Sequence, residues 1–245
     1  MVLSEPVLVG REEELEELQR SLDSVLSGKG ITIFISGKAG SGKTRLTNEF
    51  LNIARKRDVT ILFGWCLNNT TLPYFPFIEA FNSEIMSRGG GTILRQPTGL
   101  KSWLSDSYPI ERSEKDRTIV PQFWKDQAFT AVTKELLYLS SVNPVILVLE
   151  DIHWADSASL ALLHYISRAI VNEKILILVT FRSEELGRDA ERHLHPLAET
   201  LNLMGREGLF REIKLENLTS PVTGSIRGVP SGFSTSQRTR MFGSP

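Results

Sequence analysis

The stretch Gly37-Lys38-Ala39-Gly40-Ser41-Gly42-Lys43-Thr44 fits the spacing G-x-x-x-x-G-K-[ST] without a gap. The apolar run Ile31 to Ser36 enters it, and a segment of helical periodicity, Thr44 to Arg57, leaves it. Together these parts form a cradle for phosphate groups. Glycines let backbone N–H groups turn inward. A helix N-terminus behind the loop adds partial positive charge and free donors. Lys43 supplies a mobile point charge for the β- and γ-phosphates. Thr44 supplies a hydroxyl for Mg²⁺. A glycine-rich turn can spell the same motif by chance, but the flanking strand and helix argue for a nucleotide site.

Outward from the loop, two more short Ile/Val-rich runs, Val145 to Leu149 and Ile175 to Val179, read as buried strands of a parallel sheet. Val59 to Gly64 and Leu209 to Leu215 are further strand candidates. Helical periodicity falls between them, over Arg11 to Ser27, Gln122 to Ser140, Ser157 to Val171 and Glu184 to Met204. Alternating strands and helices predict an α/β fold with a parallel sheet. The region Cys66 to Pro121 carries several prolines and the run Gly89-Gly90-Gly91. It reads as an insertion in short pieces, with a helix near Phe77 to Met86.

The second strand run ends in two acids, Glu150 and Asp151. Side chains alternate along a strand, so the two point to different places. Glu150 is the candidate Mg²⁺ ligand, and Asp151 the candidate base or water-orienting group. The plain alternative is an acidic strand end at the surface. Asp156, before Ser157, reads as a helix N-cap. His153 and Trp154 either face the γ-phosphate or pack the loop. Arg182 leaves the third strand at the edge where open α/β sheets bind ligands. It either senses the γ-phosphate or pairs with Glu184 or Glu185 at the surface.

The chain has 245 residues, 41% hydrophobic and 23% charged, enough apolar content for a sizeable core. A formal net charge of −1 argues against a polybasic nucleic-acid coat. One cysteine, Cys66, excludes a disulfide framework, and four scattered histidines do not suggest a metal cluster. No apolar run approaches the roughly 20 residues of a membrane span, and no signal peptide opens the chain. A cytoplasmic protein is expected. Residues 217–245 are different: 17 of these 29 are Ser, Thr, Gly or Pro, and none is acidic. The folded domain is therefore expected to cover 1–216, and the tail to be disordered.

Several stretches together resemble the AAA+/STAND group of P-loop ATPases, the origin-recognition-like modules of large bacterial and archaeal regulators. Val7-Leu8-Val9-Gly10-Arg11-Glu12-Glu13-Glu14-Leu15 looks like the family's opening motif, which lies over the adenine. The phosphate loop continues into Thr44-Arg45-Leu46, and Leu149-Glu150-Asp151-Ile152-His153-Trp154-Ala155-Asp156 is close to the extended Walker B. Gly64-Trp65-Cys66 with Leu72 to Phe77 looks like the loop after the second strand, and Thr180-Phe181-Arg182 like sensor 1. The resemblance covers roughly residues 5 to 218. It implies a five-stranded parallel sheet of order 5-1-4-3-2 and Mg-ATP bound beneath a helical lid. ATP would then act as a switch or slow fuel, often driving self-association. The nucleotide contacts it implies are Val9, Gly10, Arg11, Gly37, Lys38, Ala39, Gly40, Ser41, Gly42, Lys43, Thr44 and Arg45. Thr44 and Glu150 would hold the metal, and Lys43, Asp151 and Arg182 would act in catalysis.

Two departures stand out. Glu150 replaces the usual Asp, and the lid expected after Leu218 gives way to a Ser/Gly/Pro-rich segment, as in a short protein, a fragment or an altered reading frame. The expectation is a Mg-ATP-binding regulatory ATPase. The alternatives are a DNA-associated loader of the origin-recognition type, disfavoured by charge, and a non-catalytic nucleotide-binding scaffold.

Overall fold

Five short strands with apolar side chains on both faces need cover on both faces, and the computed structural model provides it. The structure describes residues 10–68, 72–87, 121–187 and 194–216. In chain order the elements are α1 (Glu12–Leu26), β1 (Ile31–Gly37), α2 (Lys43–Ala54), β2 (Thr60–Trp65), α3 (Phe75–Ser87) and α4 (Pro121–Val142). They continue as β3 (Val145–Glu150), α5 (Ser157–Ala169), β4 (Ile175–Phe181), α6 (Pro196–Arg206) and β5 (Phe210–Leu215). The strands form one sheet of order β2-β3-β4-β1-β5, and every pairing is parallel. This is the order that the family resemblance implies.

The alternation within β1 sorts the layers. Ile33 and Ile35 join Leu18, Leu22 and Val25 of α1 and Leu46, Phe50 and Leu51 of α2 on one face. Phe34 points the other way, into a cluster with residues of α3, α4, α5 and α6. All of β4 is buried, from Ile175 to Phe181. At the outer edge, β5 keeps Arg211, Glu212 and Lys214 exposed, and charges of this kind discourage strand addition. No helix among the described residues is long and apolar enough to cross a membrane.

One expectation is corrected. The helix read over Glu184 to Met204 is a short 3-10 turn, Ser183–Leu186, and a separate α6 starting at Pro196. Pro196 stops a helix from running through, because it has no N–H to donate and suits a first turn. The helix expected near Phe77 to Met86 is present as α3. Its Phe77, Ile78, Ala80 and Phe81 are buried in the core, and its Pro76 carbonyl lies against Gly64 of β2. Pro76 does not break the helix because it sits in the first turn. The 217–245 tail, Val9, and the Pro97, Pro109 and Gly89–Gly91 positions lie outside the described residues.

The connections fix where a ligand fits. After β1 the chain crosses through α2 on one face, and after β4 it crosses through α6 on the other. β1 and β4 are neighbours. Their carboxyl ends therefore diverge to opposite faces and open a crevice, the topological switch point of an open α/β sheet.

Candidate functional site

The phosphate loop leaves β1 at this crevice. Gly40 and Gly42 hold φ of 76° and 93°, a left-handed backbone that other residues adopt only at a cost. The turn this makes delivers Gly42 as the N-cap of α2, with no side chain capping the helix end. The free N–H groups of that end therefore face the crevice. Lys43 is 8% exposed, and its Nζ donates to Gly37 O at 2.7 Å and Lys38 O at 3.0 Å. Burial pushes its ammonium below the ordinary lysine range, and the negative charges of Asp151, Glu184 and Glu150 resist that. Lys38, Ala39 and Gly40 are exposed, Ser41 is buried, and Thr44 and Arg45 are exposed on the first turn of α2.

Both strand-end acids reach the same crevice, and they differ in setting. Glu150 is the last residue of β3. Burial pushes its carboxyl above the ordinary carboxylate range, Asp151 adds to this, and a hydrogen bond with Thr44 and the charge of Lys43 oppose it. Its Oε1 is fully buried and has no hydrogen-bond partner. A buried carboxylate oxygen left without a donor is costly, and a hard divalent cation is a group that satisfies it. The Thr44 hydroxyl beside it completes an oxygen pair, so these two residues fit Mg²⁺.

Asp151 has left the strand with φ of 52°. Its N–H donates to Thr180 Oγ1 of β4 at 3.0 Å, which fixes the turn. Its Oδ1 lies 3.8 Å from Arg182 Nε and 3.9 Å from His153 Nδ1. Arg182 also stacks over Trp154, with Cζ 5.0 Å from the ring centroid. The ion pair that Arg182 makes is thus inside the crevice, with Asp151. His153 is buried, neither ring nitrogen has a partner, and burial holds it below the ordinary histidine range. It packs the loop against Trp154 while lying beside Asp151. Asp156 is the N-cap of α5, accepting from Ala158 N at 2.9 Å and Ser159 N at 3.0 Å. Cys66 is buried, and burial pushes its thiol up to about 12.

Comparison with known protein families matches residues 7–178 to the AAA ATPase domain. The chain belongs to that family. An uncharacterized protein of Rhizobium meliloti is 27% identical over an alignment of 192 residues, and the match covers 71% of this chain and 18% of that protein. Among solved structures, Cdc6p from Pyrobaculum aerophilum superposes with a TM-score of 0.50 at 16% identity, over 86% of this chain and 46% of that one. The Orc1 protein of Aeropyrum pernix in complex with DNA has a TM-score of 0.47 at 18% identity, with the same coverages. The chain thus spans about a fifth of its curated relative and less than half of these structural neighbours. At such identities the structural likeness speaks for the fold alone.

Three contacts of this AAA ATPase domain escape sequence reading. Arg11, expected on the adenine side, is 5% exposed and its guanidinium donates to Ser41 O at 3.1 Å and to Glu216 O. It also pairs with Glu14 at 2.7 Å. It therefore ties the start of α1 to the phosphate loop and to the end of β5. Gly10 is exposed beside it, its N–H on Glu12 Oε1 at 3.1 Å. Thr180 holds the Asp151 backbone. Glu184 leaves Arg182 and accepts instead from Ala39 N–H in the phosphate loop, at 2.6 Å. The Ser41, Glu216, Asp151 and Ala39 partners lie 29 to 205 positions away in sequence, so they leave no local signal.

Proposed function

We propose that this AAA ATPase domain binds Mg-ATP at Gly37–Thr44 and hydrolyses it slowly to ADP and phosphate. Nucleotide state would be coupled to conformational switching or self-association. One observation carries the reading. A buried lysine, a buried carboxylate oxygen without a donor, and an Asp–Arg pair converge on one crevice, beside a glycine loop that opens a helix. Perturbed titratable groups clustered in a cleft are a physical mark of a functional site.

In this reading the loop N–H groups and Lys43 hold the phosphates. Thr44 and Glu150 hold Mg²⁺, which supplies neutralisation of phosphate charge. Asp151 orients a water for in-line attack, and Arg182 meets the charge at the terminal phosphate. Arg182 is paired with Asp151 before nucleotide arrives, so a terminal phosphate competes for the same guanidinium. Its capture would release Asp151 and shift the Arg182 turn, giving the nucleotide a way to set conformation.

The test is calorimetric titration of Mg-ATP into the chain, followed by phosphate release under saturation. Saturable micromolar binding with slow release is expected, and an intact chain that takes up no Mg-ATP refutes the proposal. Asp151→Asn keeps the shape and removes the charge. It is expected to bind Mg-ATP within about threefold of the parent while release falls by about a hundredfold or more, the usual scale for a lost base or water-positioning group. Unchanged release would remove Asp151 from the mechanism.

A further inference from the structure

The Glu184 carboxylate sits on a phosphate-loop amide. Its Oε1 accepts from Ala39 N–H at 2.6 Å, across 145 positions of sequence. The side chain comes from the Ser183–Leu186 turn, which begins directly after Arg182 at the end of β4. Its own backbone N–H and the Ala39 N–H hold the acid below the ordinary carboxylate range, and Lys43 and Arg182 lower it further. It is therefore ionised at neutral pH. An anion already lies in the field of the two cations assigned to the phosphates, bonded to a donor of the loop built to bind them.

We propose that Glu184 is an internal competitor for the nucleotide's phosphate chain, occupying the Ala39 amide in the free protein and withdrawing when Mg-ATP binds. This rests on the Mg-ATP reading above. Two anions cannot share one donor without repulsion. Withdrawal would also release the turn that carries Arg182, so loop occupancy and the position of Arg182 would change together. The opposite role is that of a brace: a carboxylate that pre-forms the loop and helps nucleotide to bind. The two roles predict opposite signs.

The experiment titrates Mg-ATP calorimetrically into the parent chain, Glu184→Ala, Glu184→Gln and Lys43→Ala. Glu184 is exposed, so neither substitution removes packing from the core. Glu184→Ala loses both charge and acceptor and is expected to bind about five- to tenfold tighter than the parent, the scale of one ordinary, solvent-exposed hydrogen bond given up by a competitor. Glu184→Gln keeps an acceptor without charge and should fall between. In ¹⁵N-labelled free protein, the Ala39 amide resonance should move in Glu184→Ala, and should move again in the parent on adding Mg-ATP. If both Glu184 variants bind as the parent does or more weakly, while the parent binds and Lys43→Ala does not, the competitor is overturned and the nucleotide reading stands. If neither the parent nor Glu184→Ala binds Mg-ATP, both fall.

Discussion

Lys43→Ala is expected to abolish saturable Mg-ATP binding. In the free domain the Lys43 ammonium is held by two carbonyls of its own loop, Gly37 O and Lys38 O. Those neutral acceptors keep a buried cation hydrogen-bonded, and burial still lowers its basicity against the pull of Asp151, Glu184 and Glu150. A phosphate offers both charge and acceptors, so the lysine gains on moving to it. Two charge-assisted hydrogen bonds at about 1.5–3 kcal/mol each put the loss at a hundredfold or more in affinity. Lys43→Arg is expected to fail as well, because a planar guanidinium cannot sit as a point donor inside the loop. Both variants should melt like the parent without nucleotide. Binding retained within about tenfold in Lys43→Ala would mean that phosphates bind elsewhere.

Gly64→Ala is expected to lower stability strongly. A Cβ at Gly64 would meet Pro76 O at 1.9 Å, Pro76 C at 2.9 Å and Ala80 Cβ at 3.2 Å. The first two are backbone atoms at the start of α3, which buries Phe77, Ile78 and Phe81 in the core. Neither side can yield cheaply. Moving α3 opens the core, and bending β2 breaks its parallel ladder with β3. Overpacking of flexible side chains costs about 1–3 kcal/mol, so a clash with backbone should reach at least the top of that range. For a domain of this size the thermal midpoint would fall by roughly 6–12 °C. Thermal unfolding followed by circular dichroism measures it, and a midpoint within about 2 °C of the parent would show that α3 shifts freely.

What was readable in the sequence was what depends on neighbours. The runs at Ile31, Val145 and Ile175 became the three central strands because continuous apolar character requires burial on both faces. Asp156 was readable as a cap because its partners, Ala158 and Ser159, are two and three residues away. The phosphate loop was readable because its chemistry is contiguous. The α3 helix was readable from Phe77 onward, but not its start at Phe75, because Pro73 and Pro76 resemble breakers. Glu184 was misplaced because helical periodicity ran through it into α6. Thr180, Arg11 and Glu184 act through partners brought near only by the finished sheet, and no local pattern reports such contacts.

The strand order also has a consequence for how the chain folds. β1 is made early, yet its neighbours are the last strands to arrive: Ile31 pairs with Leu176, and Thr32 with Phe210. Closing such long loops before any contact repays the entropy is slow, so parallel topologies of this kind fold late and cooperatively. On the ribosome, β2 and β3 can pair first, while β1 and its loop wait for β4. The phosphate loop is thus the first functional segment synthesised and among the last assembled. A nascent chain stalled before Ile175 would carry the whole motif with no strand beside it.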